Sequence, residues 1–299
     1  MSHLFCFGLG YSALHTARRL AAEGWTIAGT ARTPEGAAAI VEEGYEAHVF
    51  DGLRRNPDIA AALSRATHVL ISVPPGEQDP VLRHHGPDLR AAPTLKWIGY
   101  LSTVGVYGDS QGAWIDETAP MDATSVRGRQ RIAAETAWLD LGRTLHLPTQ
   151  VFRLAGIYGP GRSAIDRLRD GTAHRIVKPG QVFNRIHVDD IARTVCAAIV
   201  GPKMSDVYNV TDDEPAPPQD VVVYAAELLG VPAPPEIAFA DADLSPMARS
   251  FYADNKRVSN ARLHQELGVT LKFPTYREGL RAILAGTPRP GIVSTTDFT

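Results

Sequence analysis

The stretch Leu4-Phe5-Cys6-Phe7-Gly8-Leu9-Gly10-Tyr11-Ser12-Ala13 decides how the rest of the chain is read. A short apolar run ends in Gly8-x-Gly10-x-x-Ala13. Residues 14–23 follow with helical spacing, and Leu14, Ala17, Leu20 and Ala21 fall on one face. Each small residue has a physical use. Gly8 permits a tight turn off a strand, and Gly10 keeps a Cβ from standing between the backbone and a pyrophosphate. Ala13 lets the helix pack close to the strand, the helix N-terminus offers free N–H groups to an anion, and Tyr11, Ser12 and Ala13 are expected cofactor contacts. The pattern lies between a strand and a helix, where a dinucleotide site requires it.

Working outward, the totals set bounds. A chain of 299 residues with 44% apolar content holds one large or two smaller domains with a substantial core. A net charge of −3 gives no reason to expect nucleic acid. Two cysteines, Cys6 and Cys196, make no disulfide framework and suit a reducing compartment. The opening apolar run is too short to cross a membrane, and no basic segment with a cleavage site marks a signal peptide. The expected location is the cytoplasm, without a membrane partner.

Strands are expected at 26–30, 46–50, 68–73, 97–102 and 207–210. A helix start is expected at 32–36 and a helix at 58–64. Strands alternating with helical stretches imply right-handed crossovers and a parallel sheet. From Gly286 onward periodicity is lost, which predicts a loose tail over 286–299. The end of the second strand carries cofactor information. An NAD site usually has an acidic residue there for the ribose 2′-hydroxyl, and this chain has Gly29-Thr30-Ala31-Arg32 instead. Arg32 suits a 2′-phosphate, so NADP is favoured over NAD. Asp51, after the third strand, is placed to meet an adenine edge or to form a turn before Gly52.

Five further segments define a resemblance. They are Gly99-Tyr100-Leu101-Ser102-Thr103-Val104-Gly105-Val106-Tyr107-Gly108-Asp109, Phe152-Arg153-Leu154-Ala155-Gly156-Ile157-Tyr158-Gly159-Pro160-Gly161, Arg185-Ile186-His187-Val188-Asp189-Asp190, and the pair Asn255 to Asn260 with Tyr276 to Leu280. With the opening glycines, the chain resembles the extended short-chain dehydrogenase/reductases, the NAD-dependent epimerase/dehydratase family. The resemblance implies an α/β fold, a Rossmann-type doubly wound parallel sheet with a smaller C-terminal substrate domain. It assigns 1–157 and 185–212 to the NAD(P)-binding domain, and 158–184 and 213–285 to the substrate domain. It puts Ser72, Val73 and Pro74 beside the cofactor, Ser102 and Thr103 near the nicotinamide, and Leu154 to Gly156, with Ala155, facing the cofactor. Family members also hold substrate phosphates with arginines near the crossover, which makes Arg185 and Tyr158 the expected substrate contacts, among Arg162, Arg167, Arg169, Arg175 and Lys178. The family dimer uses two helices, and one is interrupted here by Gly86-Pro87, so the oligomeric state stays open.

The departure from the family is at its catalytic Tyr-x-x-x-Lys. The helix after Ser102 reads Ser125-Val126-Arg127-Gly128-Arg129-Gln130-Arg131-Ile132-Ala133-Ala134-Glu135, so Arg127 stands for the tyrosine and Arg131 for the lysine. The one Tyr-x-x-x-Lys in the chain, Tyr252 to Lys256, falls in the wrong part of the topology. Guanidinium gives up no proton at physiological pH, but it polarises an oxygen or grips an anion. Tyr107, the nearest tyrosine to Ser102, is the candidate substitute acid. The candidate catalytic set is therefore Tyr107, Ser102, Arg127 and Arg131. His187 and Asp189 are read as capping and structural. His84-His85 lacks partners at ligand spacing, and no metal is expected. Two readings remain open. One is an NADP-dependent oxidoreductase or epimerase/dehydratase acting on a small polar, anionic substrate. The other is a non-catalytic dinucleotide sensor or scaffold. The intact Tyr158-Gly159-Pro160-Gly161 loop favours the enzyme.

Overall fold

A computed structural model describes residues 2–202 and 204–286. In chain order it contains β1 (His3–Phe7), α1 (Tyr11–Ala22), β2 (Thr26–Ala31), α2 (Pro34–Glu42), β3 (Glu46–Val49), α3 (Pro57–Leu63), β4 (His68–Ile71) and α4 (Pro80–Arg90). Then come β5 (Trp97–Thr103), a 3-10 turn (Val104–Val106), β6 (Trp114–Ile115), α5 (Val126–Leu145), β7 (Thr149–Leu154), β8 (Gly156–Tyr158), α6 (Ala164–Arg169) and β9 (Arg175–Val177). The chain continues with β10 (Arg185–His187), α7 (Val188–Val200), β11 (Val207–Val210), α8 (Pro218–Leu229), β12 (Glu236–Ala238), α9 (Pro246–Ser250), β13 (Arg257–Val258), α10 (Ala261–Leu267) and α11 (Tyr276–Gly286).

Seven strands form one sheet in the order β11-β7-β5-β4-β1-β2-β3, every pair parallel. The order reverses between β1 and β4, which makes that place the switch point where open α/β sheets bind ligands. Both faces are covered, and β1 shows why its residues are nearly all apolar. Leu4 and Cys6 pack into one apolar layer with Ala13, Ala17 and Leu20 of α1 and Ile191 and Val195 of α7. Phe5 and Phe7 pack into the other, with Ile59 and Leu63 of α3, Val81 and Leu89 of α4, and Trp138 and Leu141 of α5. A strand buried on both sides reads as a continuous hydrophobic run.

Away from the sheet, Tyr158, Ile165, Val221, Ala225, Tyr276, Leu280 and Ile283 make a separate apolar cluster. A smaller one joins Ile176, Ala242 and Tyr252. No helix among the described residues is long and apolar enough to cross a membrane.

Element ends differ from the sequence reading by one to three residues. The helix of the opening motif begins at Tyr11 instead of Leu14, β4 stops at Ile71, and β5 reaches Thr103. One expectation is corrected. Gly86-Pro87 does not interrupt its helix, because α4 runs through both residues to Arg90. Pro87 removes one N–H donor from the helix without stopping it. The expected tail coincides with α11 only at Gly286, and 287–299 lie outside the described residues.

Candidate cofactor and active site

The turn after β1 is held from β2. Thr30 accepts the Gly8 N–H on its hydroxyl at 2.8 Å and the Leu9 N–H on its carbonyl at 2.8 Å. Gly8 has φ +81°, and a Cβ there would lie 3.0 Å from Val73 Cγ2, so the turn needs glycine for conformation and for space. Ser72 donates its N–H to the Phe7 carbonyl at 2.8 Å, which sets the Ser72-Val73 segment alongside β1. Pro74 follows, exposed. Gly10 is the N-cap of α1 and no side chain caps that end. Beyond its chain neighbours, no described atom lies within 4 Å of where a Gly10 side chain would begin. The first N–H groups of α1, from Tyr11, Ser12 and Ala13, are those a helix start leaves without intrahelical partners, with the helix dipole behind them.

Arg32 stands one residue past β2, exposed, with no hydrogen bond or ion pair among the described residues. Asp51 is also exposed, and its Oδ1 accepts the Leu53 N–H at 2.8 Å, so it forms a turn whatever else it does. Thr103 ends β5 half-buried, with its hydroxyl accepting the Gly105 N–H at 3.1 Å. Ala155 is buried and donates its N–H to Val210 at 3.0 Å.

The catalytic candidates separate into two groups. Arg127 is exposed near the start of α5. Arg131 turns Nη1 inward, donating to Tyr100 Oη at 3.0 Å and to the Leu101 carbonyl at 2.9 Å. Ser102 and Tyr107 are inside the protein, 5% and 1% exposed, which leaves neither open to a substrate. Ser102 Oγ donates to Glu135 Oε1 at 2.5 Å. The Tyr107 hydroxyl accepts from Arg153 Nη1 at 2.7 Å and donates to Asn209 Oδ1 at 2.8 Å. Burial raises its pKa above that of an ordinary phenol, with Arg153 pulling the other way.

Both residues belong to a network that the sequence reading missed. Glu135 and Arg153, 1% and 4% exposed, form a two-pronged ion pair, with Nη2 to Oε2 at 2.8 Å and Nε to Oε2 at 3.1 Å. The Arg153 guanidinium also lies 4.9 Å from the centre of the Tyr107 ring. Lys256, once set aside with its Tyr252 spacing, is buried beneath the same loop. Its Nζ donates to the carbonyls of Tyr107 at 2.7 Å and Gly108 at 3.0 Å. One signal was available: an arginine inside the buried strand Thr149-Gln150-Val151-Phe152-Arg153-Leu154 demands an acidic partner.

Of the expected substrate contacts, Tyr158 is buried in the outer apolar cluster, its hydroxyl 3.4 Å from the Thr275 carbonyl. Arg185 is half-buried and donates Nη1 to the carbonyls of Phe183 at 2.9 Å and Ala216 at 3.0 Å. Burial pushes the pKa of neighbouring Asp212 well up against the pull of Arg185. His187 caps α7, its Nδ1 accepting the Asp189 N–H at 3.1 Å, while Asp189 pairs with His15 at 3.0 Å. The described residues contain no group of three or more His, Cys, Asp or Glu able to hold a metal.

A parallel sheet with this order and a glycine turn at its switch point defines a Rossmann-type protein. The family model described as NAD dependent epimerase/dehydratase family matches residues 89–211. Protein YeeZ of Escherichia coli K12 is 27% identical over 300 residues, covering 92% of this chain and 97% of YeeZ. A solved structure from Silicibacter pomeroyi, described as a functionally unknown conserved protein, is 50% identical with a TM-score of 0.87, covering 95% of this chain and 99% of that one. A putative NAD-dependent epimerase/dehydratase from Methylobacillus flagellatus is 27% identical with a TM-score of 0.72, covering 95% and 98%. This chain belongs to the NAD-dependent epimerase/dehydratase family of extended short-chain dehydrogenase/reductases.

The ion pair yields a stability prediction. Glu135→Ala strands the Arg153 charge in the interior and takes the partner from Ser102. It should lower unfolding free energy by roughly 3–5 kcal/mol, read by urea denaturation. A loss under about 1 kcal/mol, the value of an exposed pair, would contradict the buried geometry.

Proposed function

We propose that this chain is an NADP-dependent oxidoreductase or epimerase/dehydratase acting on a small polar substrate, with guanidinium groups where the family carries its proton-transfer pair. The observation that carries the reading is the uncapped start of α1, with open space at Gly10 and the Gly8 turn packed against Val73. A pyrophosphate fits that cradle. Gly8, Gly10 and the N–H groups of Tyr11, Ser12 and Ala13 would hold it, Arg32 would meet a 2′-phosphate, and Asp51 would lie by the adenine. Ser72, Val73, Pro74, Thr103 and Ala155 would border the nicotinamide half. Bound there, the dinucleotide supplies the hydride donor or acceptor.

In this proposal the chain's own part is charge and position. Arg127 polarises the oxygen that gains charge as hydride arrives, and a fixed positive group needs no reorganisation to do so. Arg131 occupies the lysine's place and ties α5 to β5. Thr103, half-buried at the end of β5, is the hydroxyl open to a ligand, whereas Ser102 and Tyr107 act by holding the loop in place. Arg185 is the substrate-side cation. Protons come from water or from the substrate.

Calorimetric titration tests the cofactor. Gly10→Val should largely abolish binding of both NADPH and NADH while the protein stays folded. Equal affinity in wild type and variant would remove the phosphate cradle.

Wild type should bind NADPH more tightly than NADH, and Arg32→Ala should erase that preference. The loss is about tenfold or more for one charge-assisted contact. Preference for NADH in wild type would sink the NADP reading.

For catalysis, NADPH oxidation against a panel of small aldehydes, ketones and sugar nucleotides is the measurement. Arg127→Ala should cut turnover without moving the pH optimum, because guanidinium does not titrate there. Tyr107→Phe should keep both limbs of the pH–rate profile; loss of one limb would restore Tyr107 as the acid. The burial of Tyr107, the candidate acid, supports a second reading, a dinucleotide sensor or scaffold. Tight cofactor binding with no turnover on any substrate would select it.

A further inference from the structure

We infer that Arg162 is a cofactor-phosphate ligand, brought to the start of α1 by the Gly159-Pro160-Gly161-Arg162 turn; this rests on the dinucleotide reading above. The turn is rigid. Gly159 and Arg162 exchange backbone hydrogen bonds of 3.2 and 3.0 Å, and Gly161 takes φ +71°. Proline followed by a glycine at positive φ is the signature of a type II turn. Ser163, next in the chain, caps α6 in a reciprocal capping box with Asp166.

That turn is fastened to the first residue of α1. Tyr11 Oη donates to the Pro160 carbonyl at 3.0 Å. A Cβ on Gly159 would lie 2.4 Å from Tyr11 Oη and 2.7 Å from Val188 Cγ1, so only glycine allows this approach. From this fixed base the Arg162 guanidinium reaches to 5.8 Å from the centre of the Tyr11 ring.

A full positive charge is thereby stationed beside a helix end that already carries partial positive charge. Arg162 is exposed and makes no side-chain hydrogen bond or ion pair among the described residues. The two carboxylates felt by Tyr11 are committed elsewhere. Asp166 accepts from the Ser163 N–H at 2.8 Å and Oγ at 2.6 Å, and Asp189 pairs with His15 and with Lys272. A cation beside a helix start suits an anion bound by both.

Three other cations near the crossover are used differently. Arg175 pairs with Glu236, Lys178 donates to the Tyr252 carbonyl, and Arg185 serves two carbonyls. Among them Arg162 is the one seen against α1.

The test is calorimetric titration of the full chain with NADPH, NADH and ADP-ribose, which share the pyrophosphate. Arg162→Ala should weaken all three by one common factor, about tenfold or more. Arg162→Gln, which keeps an uncharged stem over Tyr11, should do the same, and thermal melting should match wild type for both. Arg32→Ala, in contrast, should affect NADPH alone. Unchanged affinities would overturn the inference, as would a loss confined to NADPH or an effect only on a substrate's KM. In those cases the dinucleotide reading stands. Failure of wild type to bind any of the three would remove that reading and this inference with it.

Discussion

The Glu135–Arg153 pair is the constraint from which the middle of the molecule is built. Two charges almost wholly removed from water are tolerable only when each is matched and its remaining hydrogen-bonding capacity filled. Here the filling reaches four elements. Glu135 on α5 takes Ser102 of β5, and Arg153 of β7 takes the hydroxyl of Tyr107. Tyr107 in turn takes Asn209 of β11, whose own N–H goes to Glu117 at 2.8 Å. None of these residues moves without unpairing another. The ends of three neighbouring strands, and the helix that crosses them, are thereby fixed in register before any ligand arrives.

That rigidity separates residues on which the fold depends from residues on which it does not. The supporting residues are buried and mutually dependent, so replacing one leaves a polar group unsatisfied in the interior. Arg127, by contrast, is exposed near the start of α5, and no internal bond depends on it. Substitution there costs the fold little. Arg131 is intermediate, since its contacts with Tyr100 and Leu101 join α5 to β5. Exposed positions on α5 can change at little cost to the fold because the framework beneath them is fixed.

The sheet and the dinucleotide turn were legible because they are local. Apolar runs of strand length, a glycine pair and helical spacing lie within about ten residues of each other, and the physics that reads them is equally local. Tyr107 was misjudged for the opposite reason. Its partners are 46 and 102 residues away, at Arg153 and Asn209, and sequence proximity to Ser102 suggested an open hydroxyl where there is a buried one. Glu135 had no role in the sequence reading until its place opposite Arg153 gave it one. Lys256 was dismissed for lying in the wrong part of the chain, yet the fold brings it under the Tyr107 loop. The lysine was not idle. Pro87 misled in another way, because a proline inside a helix deletes a hydrogen bond without always ending the helix.

A site whose cations are guanidinium groups differs in kind from one built on a tyrosine and a lysine. The usual pair works by lowering a phenol's pKa, so its contribution rises and falls with protonation. Arginine contributes a charge that stays put, and the stabilisation it gives an oxyanion varies with distance and solvent exposure but not with pH in the ordinary range. Exposure is the cost: in water-filled surroundings the same charge does far less than in a dry pocket. For Arg127 to matter, the substrate must itself exclude water from the mouth of the cleft, or be anionic and meet the guanidinium directly. The second condition asks less of the protein, since a bidentate bond to a carboxylate or phosphate brings its own geometry. On the proposed reading, this argues for a substrate that is small and anionic over one that is large and neutral.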